Sequence, residues 1–146
     1  EYEADVCVAF AQGNIGKAVQ LATSDSFNEI KNSALHLLKN VSKMEINDII
    51  ATVKSVSEFK IDIQDYLDFL AVWYRDILYF KATRDSNGLI FKDELNVITD
   101  QINKSSYEGI ENILRGLQTA KTRLNANVNF DLTMELLFLL IKENLV

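Results

Sequence analysis

The sequence predicts an all-α protein, a helical bundle of five to six main helices with a short N-terminal helical segment. Three observations predict it. The 146-residue chain has no proline and only 5 glycines, so helix breakers and the turn residues that strand architectures need are nearly absent. Apolar residues make up 48% and charged residues 25%, the balance of a chain that buries a core. Apolar positions recur at intervals of three and four along most of the chain, the period of one-sided helices.

Taken in order, Tyr2, Val6, Ala9 and Phe10 mark a short helix that stops at Gly13, and Ala18, Val19, Leu21 and Ala22 mark another. The sequence begins at Glu1, not at Met, and opens directly on a helical pattern, so a preceding N-terminal part is expected to be missing. The polar run Thr23-Ser24-Asp25-Ser26 reads as a hinge, which divides the chain into units 1–25 and 26–146. Beyond it, Ser26 with Glu29, Ser42 with Glu45 and Ser105 with Glu108 match the capping box, in which a hydroxyl and a carboxylate satisfy free backbone N–H groups.

Phe27, Ile30, Ala34, Leu37, Leu38 and Val41 form the stripe of the next helix, and Ile46, Ile49, Ile50, Val53 and Val56 that of its successor. The helix over 63–84 carries two stripes, Leu67, Leu70, Tyr74 and Ile77 beside Phe69, Trp73 and Phe80. Gln64, Asp65, Asp68, Arg75 and Asp76 are left on a narrow polar strip, as suits the centre of a bundle. After the turn at 85–88, Phe91, Leu95, Ile98 and Ile102 predict a fourth helix, with Asp93 and Glu94 near its positive end. Ile110, Ile113, Leu114, Leu117, Ala120 and Leu124 predict a fifth, in which Gly109 and Gly116 share one side, either for close approach of another helix or as tolerated surface glycines. The last helix, 131–143, holds Leu136-Leu137-Phe138-Leu139-Leu140-Ile141 and is apolar all round. A terminal helix of that kind is expected to need cover from a second chain.

No catalytic, metal or cofactor site is expected. His36, the one histidine, has no second imidazole or thiol near it, and Asp65 with Asp68 reads as a solvated strip. The frame Thr83 to Glu94 places Asp85, Asn87, Gly88 and Glu94 as in an EF-hand loop, but Thr83 stands where a carboxylate belongs, and an Asn-Gly turn is the plainer reading. With a net charge of -6 and scattered Lys and Arg, no direct nucleic-acid contact is expected. The apolar runs are shorter than the ~20 residues of a membrane span, and there is no signal peptide, so no membrane partner and a cytoplasmic address are expected. Cys7 lies in an apolar stretch and reads as a small buried thiol.

Three stretches carry a resemblance: 9–18 (AFAQGNIGKA), Trp73-Tyr74-Arg75-Asp76-Ile77-Leu78, and 123–137 (RLNANVNFDLTMELL). Together they resemble the C-terminal part of the delta-prime family of bacterial DNA polymerase III clamp-loader subunits. The second is similar to a W-x-R-D pattern of that family's central helix and the third to its N-x-N-x-x-L-x-x-E-x-L-L ending. The resemblance implies that 1–25 is the end of an AAA+ lid and 26–146 a helical collar domain. Such domains close a ring with other subunits, gamma or tau and delta, so that ATP-driven modules load a sliding clamp on DNA. It also implies a non-catalytic subunit without cofactors: Gly16 stands where an ATP-using relative has the lid arginine, with Lys17 one position out of register. Collar domains of gamma or tau subunits share the ending and are the nearest alternative, and a calcium-responsive helical regulator is one of another class. The residues expected to form the interface or its supporting motif are Asn127, Asn129, Leu132, Glu135, Leu136, Leu139, Trp73, Arg75 and Asp76. Asn127 and Asn129 would brace the turn into the last helix, Arg75 and Asp76 would fix neighbouring helix ends, and the last helix would lay one face on the Trp73 helix.

Overall fold

The computed structural model describes residues 25–145, and the expectations for the short N-terminal helices, Cys7, Gly16 and Lys17 lie outside them. The described residues hold six α-helices and no strand: α1 (Asp25–Asn40), α2 (Ile46–Val56), α3 (Ile63–Thr83), α4 (Leu95–Lys104), α5 (Tyr107–Asn125) and α6 (Phe130–Glu143). Short 3-10 turns at Val41–Lys43, Ser57–Asp62, Ser86–Gly88 and Lys92–Glu94 link them.

The central position of α3 follows from its sequence. Tyr66, Leu67, Phe69, Leu70, Trp73, Tyr74 and Ile77 are fully buried although they point in several directions around the helix. A helix of this kind is stable only when wrapped, and α1, α4 and α5 pack around it. Each large apolar side chain removed from water stabilises the bundle by about 2 kcal/mol. Phe91 seals one side, its ring 5.1 Å from Phe69 and 5.3 Å from Trp73.

Polar links hold this core in register. The Trp73 indole N–H donates to Gln101 Oε1 at 3.1 Å, and Gln101 Nε2 donates to the Leu38 carbonyl at 2.8 Å. Leu38 lies in the last turn of α1, where carbonyls lack helical partners, so one buried amide satisfies both an indole and a helix end. Lys81 does the same for α4 by donating to the Ile102 carbonyl at 3.0 Å. Lys142 of α6 donates to the Met44 carbonyl just before α2.

Several local expectations shift. α1 spans Asp25–Asn40, so Ser26 stands within the helix. α2 is capped at Glu45, whose N–H donates to Asp48 at 3.0 Å; the box is Glu45 with Asp48 in place of Ser42 with Glu45. α5 is capped by Ser106, which accepts from Gly109 N at 2.9 Å, while Ser105 ends α4 and donates to the Gln101 carbonyl. Consecutive serines offered two registers, and the buried bond to Gln101 takes the first of them. The fourth helix starts at Leu95, because Phe91 and the Lys92–Glu94 turn form a separate approach to it.

The largest correction concerns α6. It packs on α5 and α2, not chiefly on the Trp73 helix, because α5 is packed against both α3 and α6.

Replacing Gln101 with Leu keeps the volume but leaves the Trp73 N–H and the Leu38 carbonyl unpaired. Urea unfolding of Gln101→Leu is expected to show a loss of about 2 kcal/mol, larger than for exposed Gln118→Leu.

Candidate docking surface

The turn between α5 and α6 is built by the two asparagines. Asn127 has φ 60°, in the left-handed region that asparagine tolerates better than other side chains do. Its N–H donates to the Leu124 carbonyl at 3.1 Å and that of Val128 to the Arg123 carbonyl at 3.0 Å, the paired bonds of a Schellman C-terminus. Asn129 then caps α6, its Oδ1 accepting from Leu132 N at 2.8 Å. One asparagine stops a helix and the other starts the next.

That geometry fixes which face of α6 looks outward. Met134, Leu137, Phe138 and Ile141 are buried, whereas Leu132 is 53% and Leu136 46% exposed, and Val128 in the turn is 43% exposed. Leu132 and Leu136 are four positions apart on α6 and lie on one side of it, while Val128 precedes the helix. Leu139 and Leu140 are half-buried beside them. Among the described residues, α6 is therefore not enclosed on every side.

Between α5 and α6 runs an open groove of about 420 Å³, lined among others by Arg115, Gly116, Arg123, Thr133, Leu136 and Leu140. Close approach of the two helices forms its floor. A Cβ on Gly116 would come within 2.9 Å of Leu140 Cδ2, and one on Gly109 within 3.0 Å of the Asn144 carbonyl oxygen. Both glycines thus admit a neighbouring helix of the same chain. The Asn112 amide donates to Asn144 Oδ1 at 3.2 Å and ties the banks together at one end.

The other expected residues divide. Trp73 is a core residue. Asp76 is 5% exposed and does not belong to the polar strip: its Oδ2 accepts from Ile90 N and Phe91 N, each at 2.9 Å, and so holds Phe91 against the core. Burial pushes its carboxyl up to about 6, against the lowering effect of the Phe91 and Ile90 N–H bonds. Arg75 is exposed and fixes no helix end among the described residues, and Asp76 holds the loop before α4 instead of a helix end. Glu135 is half-buried on α6, one residue from Leu136. Sequence reasoning missed Gln101 and Arg123. A glutamine three positions after Ile98, on the apolar side of α4, was the available signal for Gln101, whereas Arg123 needed the fold to bring it beside α6.

No convergent chemistry emerges among the described residues. His36 is exposed, with the Asn40 amide 3.3 Å from its Nδ1, and Asp68 pairs with Lys121. In the frame Thr83 to Glu94, where an Asn-Gly turn is the plainer reading, Asp85 accepts from Asn87 N at 3.0 Å and Glu94 pairs with Lys39 at 2.9 Å. No cluster of three or more His, Cys, Asp or Glu able to hold a metal occurs among the described residues. Nor is any helix there long and apolar enough to cross a membrane. Burial pushes the Tyr66 and Tyr74 phenols well above the ordinary tyrosine value, so neither offers a base.

Residues 34–143, from within α1 to the end of α6, match the family described as DNA polymerase III, delta subunit, C terminal. The chain belongs to this family. The match takes in the central helix, the asparagine turn and the whole outer face of α6, so the docking surface lies within the family domain. The chain is also similar to the DNA polymerase III subunit delta' of Bacillus subtilis (strain 168), with 26% identity over 133 residues, 89% of this chain. It spans 40% of that relative's length. No solved structure matches it.

The turn and the buried carboxyl can each be tested. Asn127→Gly should be neutral or stabilising and Asn127→Val destabilising by about 1 kcal/mol, read by thermal unfolding, because only the latter is strained at positive φ. For Asp76, burial raises the folded-state value above the unfolded one, so the folded state holds the proton more tightly. The group's contribution is greatest below the usual carboxylate range and falls as pH rises through about 6. Urea titrations should show the stability of Asp76→Asn, which keeps the acceptor oxygen, gaining on the parent across that interval. Asp76→Ala, which strands two N–H groups, should lose about 2 kcal/mol or more.

Proposed function

We propose that this chain is a non-catalytic assembly domain of the delta-prime member of a clamp loader. In this reading residues 26–146 form the collar and 1–25 the end of an AAA+ lid. The collar joins the gamma or tau and delta subunits in a cytoplasmic ring that supports ATP-dependent loading of a sliding clamp. The observation that carries the reading is the exposed pair Leu132 and Leu136 on a helix whose opposite face is core, with Val128 exposed in the turn before it. Leucines half in water on a rigid, capped helix are what association with another chain removes from solvent. Family membership supplies the kind of assembly. The delta' name of the Bacillus relative supports delta-prime over gamma or tau.

The outward face does not serve the fold, so changing it leaves the bundle intact. Ultracentrifugation of the chain mixed with C-terminal domains of the other loader subunits should give a heteromeric complex. Leu132→Asp and Leu136→Asp should each weaken it by about tenfold or more while helical circular dichroism is retained. Equal association by both variants and the parent would remove this face from the contact.

A further inference from the structure

We propose that the groove between α5 and α6 receives an amphipathic helix that carries carboxylates along one edge, with Arg123 as its reader. This rests on the assembly reading above and adds the chemistry of the partner. The apolar side of such a helix meets Leu132, Leu136 and Leu140, and the α5 bank sets its polar side. That bank presents Arg115 and Arg123, eight positions apart and so on one face of α5.

The two arginines differ. Arg115 donates to Asn112 Oδ1 at 2.8 Å and shares its end of the groove with Glu143 and the Asn112–Asn144 bond. Arg123 has an exposed side chain with no hydrogen-bond or ion-pair partner among the described residues, at the end where Leu136 and Thr133 line the groove. Thr133 is 2% exposed, and its hydroxyl likewise finds no partner. The Thr133 oxygen is buried, so Arg123 is the donor an occupant meets beside the exposed leucines, and a carboxylate answers a guanidinium best. A second copy is disfavoured, because each chain carries a net charge of -6.

The test uses the full chain with the C-terminal domains of the gamma or tau and delta subunits, by titration calorimetry at low and high salt. Arg123→Glu is expected to weaken binding by about tenfold or more and Arg123→Lys by much less, and added salt is expected to weaken the parent but not Arg123→Glu. Circular dichroism checks that each variant is folded. If Leu136→Asp abolishes binding while Arg123→Glu and salt leave it unchanged, the carboxylate-bearing partner is overturned and the assembly reading stands. If none of those domains binds the parent, both fall. Should the chain alone form a dimer that Leu136→Asp returns to monomer, the occupant is a second copy and the inference is overturned.

Discussion

The rest of the molecule depends on the burial of α3. A helix with Tyr66, Phe69, Leu70, Trp73, Tyr74 and Ile77 all out of water has no side left to face solvent except the strip near Arg75. Every neighbour is positioned by that demand. Wrapping such a helix also buries its polar tips, and the Trp73 indole is met by Gln101, which reaches on to the end of α1. Unpaired buried donors are expensive, so this bond fixes α4 and α1 relative to α3 more tightly than apolar packing alone does. Asp76 acts on the opposite side of the same logic. It is placed by the central helix, gathers two backbone N–H groups of the following loop and lays Phe91 on Trp73 and Phe69.

With three helices around α3, the sixth takes an outer position. α6 lies on α5 and α2, and Gly109 and Gly116 let it settle close to α5. An outer helix can bury only part of its circumference, yet α6 is apolar on nearly all of it. The surplus is Leu132 and Leu136, and the Schellman bonds and the Asn129 cap fix the orientation of the helix that carries them.

Helix number and type, the central place of 63–84 and most of the core were legible because a 3.6-residue period writes burial directly into the sequence. Helix ends were less legible. Ser105 and Ser106 each fit a cap, and the choice depends on a buried bond from Ser105 to the Gln101 carbonyl that no local pattern contains. Asp76 looked like part of a solvated strip because a one-residue view cannot register a loop fourteen positions later folding back on it. The exposed leucines were foreseen as a surplus on the last helix, but its neighbour was not. That α5 separates α6 from the Trp73 helix depends on two glycines whose role appears only when the helices are set side by side.

The same packing engages many of the polar side chains and leaves a surface. In the described bundle, Asp68, Asp85 and Glu94 bond to Lys121, to a turn N–H and to Lys39, and Asp76 and Gln101 are committed to backbone groups and an indole. Polar groups engaged in this way hold the shape of the bundle. Arg123, Leu136 and Leu140 lie together along one groove that ends at the asparagine turn. An unpaired guanidinium beside exposed leucines on a capped helix pair has the physical form of a surface that another chain covers.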